Sequence, residues 1–301
     1  MKARHRAWLS TMRTRRVFAD EAKQKDLFHA AASEMQGYLA SAGGRFLQTL
    51  ELISRVAGRG DDVLEIGANP YFVTAVLLHD FELRVTCMGR PPVVWPGSVA
   101  DTGGRQQRFL SVSEATHPID EVVCNAERDR FPFPDESFDT VIAAEILEHL
   151  IYSPTHFLYE IQRILRPGGR LILTTPNAVQ LRYLVRWFQG RSVWDQYSGY
   201  GVYGRHQREY TPQEVIKLLS ALNFSVDEAI TYYAARVDSP VVGALASAVH
   251  WLFPGRQPEM TFVARRTGQP RVSYPPFLYR SVYPEPQDAP AMYAFNQRDG
   301  N

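Results

Sequence analysis

Residues 62–67, with the sequence DVLEIG, decide the fold of this chain. The run is apolar, too short for a helix and closed by a glycine, so it predicts a buried strand of a parallel sheet. Working outward from it, apolar runs of similar length alternate with helical patterns. The further predicted strands cover residues 83–88, 121–124, 138–144 and 170–175, and the helices cover 72–79, a stretch that opens at 145–149, and 157–165.

This alternation of strands and helices is typical of βαβ units. It predicts an α/β fold with a doubly wound, mostly parallel sheet. Two late strands follow at 225–232 and 261–265, after a helix that begins next to Thr211. Thr211, Pro212 and Glu214 predict a capping box, in which the threonine and glutamate side chains bond to backbone amides of the first turn.

The segments outside the sheet predict three additions to it. Residues 20–56 indicate two amphipathic helices broken near 41–44, so residues 1–60 are interpreted as a helical N-terminal cap. The domain itself is expected at 61–267, with a lid at 178–205. The Pro-rich tail at 268–301 predicts little regular structure of its own, although its aromatic residues can pin it to the domain.

Composition and charge narrow the functional classes. The chain has 301 residues, 45% of them hydrophobic, and a net charge of +1, which gives no global field for nucleic acid or an anionic membrane. Cys87 and Cys124 lie in strand-like runs, which predicts free thiols and a cytoplasmic protein. The longest apolar stretch, 241–253, is too short to span a bilayer. It predicts a helix packed on the domain, with peripheral contact to a membrane or a lipid-linked substrate as the alternative.

Five motifs, in order, resemble those of class I S-adenosylmethionine-dependent methyltransferases. The resemblance runs over residues 61–265 and is greatest to methyltransferases of bacterial glycan and secondary-metabolite pathways. No single motif is specific, but the ordered set is. The motifs are VLEIG at 63–67, FPFPDESFD at 131–139, EILEHL at 145–150, LRPGGRL at 165–171 and RHQREYT at 205–211.

The resemblance implies a seven-stranded sheet with a C-terminal antiparallel hairpin, and S-adenosylmethionine as the methyl donor. Ligands of such sheets bind at the carboxyl ends of the strands. Gly67 would let the backbone approach the methionine part, Glu65 would face its charged end, and Asn125 with Ala126 would read adenine. The expected cofactor-binding residues are Glu65, Gly67, Asn69, Gly89, Asn125, Ala126 and Glu145.

Two positions depart from the family pattern. The glycine-rich loop reads GANPYF over residues 67–72, and Asn69 is expected to take the left-handed conformation of the missing second glycine. At the end of the second strand, Gly89 stands where the family has an acid for the ribose hydroxyls. Arg90 beside it suggests NADP as an alternative, but that fold also needs G-x-G-x-x-G, which the loop lacks.

Glu145, Glu148 and His149 are the main candidates for chemistry. On a helix, residues at i, i+3 and i+4 share one face, and this helix is expected to open into the crevice. Two carboxylates and an imidazole can bind a divalent ion. With His206 from the later motif, the set resembles the metal site of small-RNA 2′-O-methyltransferases. That resemblance implies the metal ligands Glu145, Glu148, His149 and His206.

A divalent ion, Mg²⁺ or Mn²⁺, would lower the pKa of an acceptor hydroxyl and fix its position. The alternative is that no metal binds, since the LEHL segment also occurs in relatives without one. In that case Glu148 and His149 serve hydrogen bonding and packing, and His149 or His206 is the general base. The expected catalytic residues are therefore His149, His206 and Glu148.

The aromatic-rich insertion indicates the class of acceptor. Aromatic faces suit sugar rings, planar compounds or lipid-linked acceptors. We therefore expect O-methylation of a hydroxyl on a sugar, a glycan or another small metabolite. One alternative is an RNA 2′-O-methyltransferase, which the neutral charge disfavours, so nucleic acid is not the expected partner. Another is a catalytically degenerate binding protein on the methyltransferase fold, which the altered loop at 67–72 motivates.

Overall fold

One mixed sheet organises the molecule. The computed structural model describes residues 2–18, 32–89, 104–112, 115–197, 204–234 and 251–280. The helices are α1 (Lys2–Thr14), α2 (Ala32–Val56), α3 (Phe72–His79), α4 (Pro154–Ile164), α5 (Leu181–Phe188) and α6 (Pro212–Ala221). The strands are β1 (Arg16–Phe18), β2 (Asp62–Ile66), β3 (Arg84–Gly89), β4 (Gly104–Val112), β5 (Ala115–Val123), β6 (Phe138–Ala144), β7 (Leu165–Pro176), β8 (Phe224–Tyr232) and β9 (Glu259–Arg266).

The strands lie in the order β1-β4-β5-β3-β2-β6-β7-β9-β8. The five central strands, β5, β3, β2, β6 and β7, are parallel, and β9 with β8 forms the antiparallel end. The predicted α/β class and the C-terminal hairpin are confirmed. Over the described residues the sheet has nine strands rather than seven, because β4 and β1 extend it beyond β5 with antiparallel pairing.

The sequence does not reveal β4 because the strand is mostly polar. Its sequence is GRQQRFLSV, and of its residues only Leu110 and Val112 are buried. For the same reason β5 begins at Ala115 rather than at residue 121, since its first half is largely exposed. Strands near a sheet edge are held by ladder hydrogen bonds more than by burial, so a hydrophobicity pattern misses them.

The hydrophobic core forms one layer on each face of the sheet. Val63 and Ile142 point to the layer that is covered by α1, α2 and α3. Their neighbours Leu64 and Val141 point to the opposite layer, which is covered by α4 and α6. Side chains alternate between the two faces along each strand. The sheet is therefore covered by helices on both sides, as the doubly wound prediction requires.

The predicted break near residues 41–44 is wrong, because α2 runs unbroken for 25 residues. Gly44 lies inside this helix, and a Cβ placed on it would lie 1.8 Å from the carbonyl oxygen of Ala234. The glycine permits this close approach of the chain that follows β8. It therefore marks a contact between two elements and not the end of a helix.

Three further sequence predictions are met in the described residues. α6 begins with the capping box of Thr211 and Glu214. The start of the Pro-rich tail is pinned to the domain, since the hydroxyl of Tyr279 lies 2.5 Å from that of Ser153 and 2.7 Å from that of Thr155. Both cysteines are buried and free.

Some predictions fall outside the described residues or are not tested. Arg90, most of the apolar stretch 241–253 and the tail beyond residue 280 are not described. The proposed domain limits stay predictions. Among the described helices, none combines the length and the apolar character needed to cross a membrane.

Candidate active site

The candidate site lies at the carboxyl ends of the parallel strands. β2 and β6 are neighbours, so the residues that follow Ile66 and Ala144 meet at one edge of the sheet. A pocket of about 410 Å³ opens there. A second pocket of about 180 Å³ adjoins it, and Ile66, Gly67, Ile146 and His149 line both. Together they form one elongated space across the edge.

Gly67 separates the two pockets, and its backbone requires a glycine. Its φ is 74°, in the left-handed region. A Cβ on this residue would lie 2.5 Å from Cδ1 of Ile146, closer than real contacts allow. Both the conformation and the packing exclude a side chain here. The glycine therefore lets the Ile146 side chain pack directly against the backbone at this point of the pocket wall.

Glu65 is a buried acid in the wall of the first pocket. Its side chain is almost wholly shielded, and it accepts a hydrogen bond of 2.5 Å from the hydroxyl of Thr74. Burial raises the pKa of Glu65 to about 8. A cation that enters the pocket would favour the ionised form of this acid. The position suits the role predicted for Glu65, contact with the charged end of the cofactor.

Asn69 does not take the left-handed conformation predicted for it. That conformation belongs to Tyr71, which has a φ of 63° and precedes α3 as its N-cap. Asn69 is exposed and lines the first pocket. The prediction is wrong because the turn is completed two residues later. There, burial of the Tyr71 ring offsets the cost of the conformation.

Contacts from remote parts of the chain hold the loop at 67–72. The hydroxyl of Tyr71 donates to Oε1 of Glu121 at 2.5 Å. Arg108 of β4 forms an ion pair with the same carboxylate. From the other side, Arg15 donates to the carbonyl of Pro70 at 2.7 Å. We call residues 65–72 the cofactor cradle. Long-range bonds, not a run of glycines, shape this cradle.

Gly89, one of the predicted cofactor-binding residues, ends β3 and lines the second pocket. A Cβ on Gly89 would lie 3.6 Å from Oε1 of Glu121. A carboxylate therefore stands beside the position where the family has its acid, although this one comes from the neighbouring strand. Sequence reasoning missed Glu121 because the pairing of β3 with β5 brings it there.

Asn125 and Ala126, the residues predicted to read adenine, line the second pocket. The side-chain oxygen of Asn125 accepts the backbone N–H of Glu127 at 3.1 Å, so it already serves the turn. Glu127 is buried and lines the same pocket. Its Oε2 has no hydrogen-bond partner among the described residues. Glu127 is thus a hydrogen-bond acceptor that the sequence analysis missed. The feature that could have identified it is the presence of an acidic residue two positions after Asn125.

The segment after β6 is not the predicted helix. Glu145 has a φ of 56°, and only a three-residue 3-10 turn, Leu147–His149, follows. α4 starts later, at Pro154. A left-handed residue and one tight turn do not create a helical face. The prediction that Glu145, Glu148 and His149 share a face is wrong.

Glu148, His149 and His206 come together nonetheless, and we call them the His–Glu cluster. One potential ligand atom from each lies within 4.8 Å of the others. Glu148 is fully buried, and its Oε2 accepts the hydroxyl of Thr175 at 2.9 Å. Its Oε1 has no hydrogen-bond partner in the described chain and lies 3.9 Å from Nε2 of His149. Burial, and then the charge of Glu145, raise the pKa of Glu148 well above its usual value.

Each imidazole is oriented through its Nδ1 atom. His149 Nδ1 lies 3.0 Å from the carbonyl oxygen of Arg205, and His206 Nδ1 lies 2.8 Å from a carboxylate oxygen of Glu209. Burial opposes protonation of His206, but Glu209 and Asp195 outweigh it and raise the pKa of His206. Such outer contacts are typical of imidazoles that bind metal through the other nitrogen.

Glu145 lies outside this cluster. Its Oε2 forms an ion pair of 2.6 Å with Arg45 of α2, and its Oε1 accepts the hydroxyl of Thr174 at 2.8 Å. Glu145 lines the first pocket, where it would have to lie both to bind the cofactor and to bind a metal. Arg45 was missed because the N-terminal cap carries no motif. Only the packing of α2 against the sheet edge shows that Arg45 reaches the site.

A third pocket, of about 470 Å³, adjoins the cluster at His206. Tyr183 and Trp194 of the predicted lid line it. The hydroxyl of Tyr183 donates to Glu209 at 2.7 Å, which links the lid to the residue that orients His206. The aromatic insertion therefore walls a space that leads to the cluster.

Comparisons with known proteins agree with this arrangement. Residues 99–173 match the family described as "Methyltransferase domain". A solved chain from a Haloferax volcanii complex with the Trm112 methyltransferase activator is similar over 81% of this chain and 99% of its own, with 17% identity and a TM-score of 0.51. That likeness shows the fold. The matched segment and the fold are those of methyltransferases, and the five motifs resemble those of class I S-adenosylmethionine-dependent methyltransferases.

Two curated relatives differ in the acceptor atom that their names give. The human mitochondrial ubiquinone biosynthesis O-methyltransferase is 48% identical over 48 residues, 16% of this chain and 13% of its own. The ubiquinone/menaquinone biosynthesis C-methyltransferase of Cupriavidus necator is 28% identical over 163 residues, 51% of this chain and 62% of its own. Both are matched over less than two thirds of their length. The class is common to them, whereas the acceptor is not.

Proposed function

We propose that this chain transfers a methyl group from S-adenosylmethionine to a hydroxyl of a sugar, a glycan or another small metabolite. The observation that carries this proposal is the meeting of two pockets at Gly67, with the His–Glu cluster in the wall of the larger one. An elongated nucleoside ligand fits the first two pockets. The aromatic third pocket reaches the same cluster at His206.

The residues present fit the cofactor. Glu65 would hold its ammonium group, Gly67 would pass beneath its middle, and Glu127 would accept a hydrogen bond from its amino group. When bound, S-adenosylmethionine supplies an electrophilic methyl group on sulfur. The protein's part is to hold that group against the acceptor, since alignment of the reacting atoms supplies much of the rate.

The His–Glu cluster would activate the acceptor hydroxyl. The Oε1 of Glu148, which accepts no hydrogen bond from the described residues, and the two oriented imidazoles fit a divalent cation. Without Glu145, the set of two nitrogens and one oxygen favours Mn²⁺ over Mg²⁺. A bound ion would supply Lewis acidity that lowers the pKa of the hydroxyl. In either case His149 and His206 border the site where the proton of the hydroxyl must leave.

The aromatic pocket supports a ring-shaped acceptor. Tyr183 and Trp194 offer flat faces, which suit the apolar face of a sugar or a planar ring. Glu209 and Asp195 stand nearby as acceptors for further hydroxyls. A cytoplasmic location is part of the proposal, and the two free thiols support it.

The test has two stages. Calorimetric titration with S-adenosylhomocysteine comes first, and micromolar binding is expected. Formation of S-adenosylhomocysteine is then measured against panels of sugars, glycans and catechol-like compounds, before and after treatment with EDTA. Turnover of a hydroxyl acceptor supports the proposal, and loss with EDTA that Mn²⁺ restores supports the metal. Absence of cofactor binding up to millimolar would overturn it in favour of a degenerate fold.

A further inference from the structure

An exposed apolar surface surrounds α5. We call it the aromatic patch. The helix has no buried residue, although its sequence, LRYLVRWF, is strongly amphipathic. An amphipathic helix normally buries its apolar face against its own domain. The members of the patch are Leu184, Val185, Trp187, Phe188, Trp194, Tyr197, Trp251, Leu252 and Phe253.

The exposure of these side chains is far beyond ordinary surface scatter. Trp187 is 69% exposed, Phe188 77% and Trp251 81%. The rings of Trp187 and Phe188 pack edge to face, 5.4 Å apart, so they stand as a pair in solvent. Single exposed apolar residues are common, but a group of this size marks a contact surface.

The two parts of the patch are neighbours in space. The backbone N–H of Leu181, at the start of α5, donates to the carbonyl of Arg256 at 3.1 Å. The guanidinium of Arg256 donates to the carbonyl of Val179 at 3.2 Å. These bonds join the segment after Phe253 to the start of α5. The segment at 251–256 therefore lies beside the start of α5, and we take the exposed apolar residues of both as one surface.

The charge of the patch is predominantly positive, although the exposed Asp195 lies between its members Trp194 and Tyr197. Residues 178–194 and 251–258 contain arginines but no aspartate or glutamate. All the arginines concerned are exposed, and some also bond to backbone carbonyls. They are Arg182, Arg186, Arg191 and Arg256. Apolar side chains among exposed guanidinium groups complement a surface that is anionic outside and apolar beneath.

We propose that the aromatic patch binds the surface of a membrane that contains anionic phospholipids. Trp187 and Phe188 enter the boundary between headgroups and acyl chains, where aromatic rings are favoured. The arginines pair with lipid phosphates. A second copy of this chain is a poorer occupant, because two such patches would set guanidinium groups against each other. Single-stranded nucleic acid is also poorer, since Leu184, Val185 and Leu252 offer no face for stacking.

The patch adjoins the third pocket, because Trp194 belongs to both. An acceptor anchored in the bilayer by an apolar tail could reach His206 through that pocket. This consequence for the acceptor rests on the proposed methyl transfer, whereas binding to the membrane does not. The experiment therefore measures binding alone, so that failure of one proposal is separate from failure of the other.

The experiment is co-sedimentation of the full chain with phosphatidylcholine vesicles, with and without phosphatidylglycerol. The wild type is expected to sediment with the anionic vesicles, and less so at high salt. Trp187→Ser with Phe188→Ser should lower the partition coefficient about tenfold or more. Each of Arg182→Glu and Arg186→Glu should lower it at least about fivefold.

The control is Tyr152→Ser, because Tyr152 is 64% exposed but lies outside the patch. It should leave the partition coefficient unchanged, and thermal melting and S-adenosylhomocysteine affinity should be alike in all variants. Absence of wild-type sedimentation, or equal loss in the control, would overturn the proposal. So would a dimer in sedimentation velocity, or binding of single-stranded RNA, that Trp187→Ser with Phe188→Ser abolishes while vesicle binding persists.

Discussion

The cofactor cradle and the His–Glu cluster relate to the family pattern in opposite ways. The cradle departs from it in sequence, with Asn69 and Tyr71 where glycines are usual, yet a pocket forms at Gly67. The cluster segment keeps the family's residues, yet it folds as a 3-10 turn in place of the expected helix. In the cluster a kept motif did not form the helix that we expected, and in the cradle a changed sequence did not remove the pocket.

The reason lies in which contacts decide each region. Tyr71 is held by Glu121, Arg108 supports that carboxylate, and Arg15 holds Pro70, so three distant segments replace local glycines. Near the cluster, Glu145 forms an ion pair with Arg45 and does not join Glu148 and the two histidines as predicted. Four substitutions test this comparison.

Glu148→Ala should have the largest effect, because Glu148 is the only carboxylate of the cluster. We expect kcat to fall about a thousandfold at saturating S-adenosylmethionine. Affinity for S-adenosylhomocysteine should stay within about threefold, since the cradle is untouched. Steady-state kinetics and calorimetry measure the two. Activity close to that of the wild type would show that the cluster serves packing alone. Glu145→Gln is the matched comparison, and a smaller loss of kcat is expected there.

Glu65→Gln should weaken cofactor binding while it stabilises the fold at high pH. We expect affinity for S-adenosylhomocysteine at pH 8 to fall about 10- to 100-fold, because a charged hydrogen bond is lost. In the wild type this affinity should rise with pH toward 8, as Glu65 ionises. Calorimetry at several pH values tests both statements. An affinity that is equal in the two proteins would remove Glu65 from the cofactor site.

The same variant should be more stable than the wild type at high pH. The pKa of Glu65 is about 8 in the folded chain against 4.5 when unfolded. Its contribution to the unfolding free energy is therefore present below pH 4.5 and is lost as the pH rises through 8. Glutamine does not titrate, so the advantage should reach on the order of 4 kcal/mol at pH 9. Denaturant unfolding at pH 5 and pH 9 measures this difference.

Tyr71→Phe tests whether long-range bonds replace the glycines. Removing the hydroxyl leaves the buried carboxylate of Glu121 with one partner fewer and should cost about 1–3 kcal/mol of stability. Affinity for S-adenosylhomocysteine should fall less than about tenfold, because the backbone of the cradle is kept. In a cycle with Glu121→Gln, the double variant should lose less than the sum of the single losses. Additive losses would show that the two groups act independently.

Glu209→Gln should have the smallest effect, a shift in pH dependence. Glu209 raises the pKa of His206, and His206 must be neutral to act as a base or a ligand. Without that carboxylate the pKa falls, so the acidic limb of the kcat profile should move to lower pH. Rates from pH 5 to 9 measure the shift. Glu228→Gln, which lies outside the site, should leave the pH profile unchanged. If the acidic limb does not move in Glu209→Gln either, the protonation of His206 does not control kcat.

Much of the fold followed from local pattern, and part of it did not. The central strands and the capping box at Thr211 were predicted because burial and helix caps are encoded over a few neighbouring residues. The strand β4 was not, since its polar residues lie near an edge. The break predicted in α2 was wrong because Gly44 is required by its close approach to Ala234, nearly two hundred positions along the chain.

The candidate site divides in the same way. His149 and His206 were named from their motifs, and their approach was expected from the resemblance to a known metal site. Arg45 and Glu121 were not named, because no motif contains them. Glu127 stood two residues from a named position, yet only its buried, partnerless oxygen marks it.

The sequence alone indicated the class of the protein, the positions of its central strands along the chain and the motifs that contain the residues of the His–Glu cluster. These features depend on short-range patterns of apolar residues, glycines and caps. Tertiary structure decided which acid joins the two histidines, what shapes the cradle and where the aromatic patch stays exposed. Each of these depends on contacts between residues far apart in the chain, whose geometry is set only when the helices have packed against the sheet.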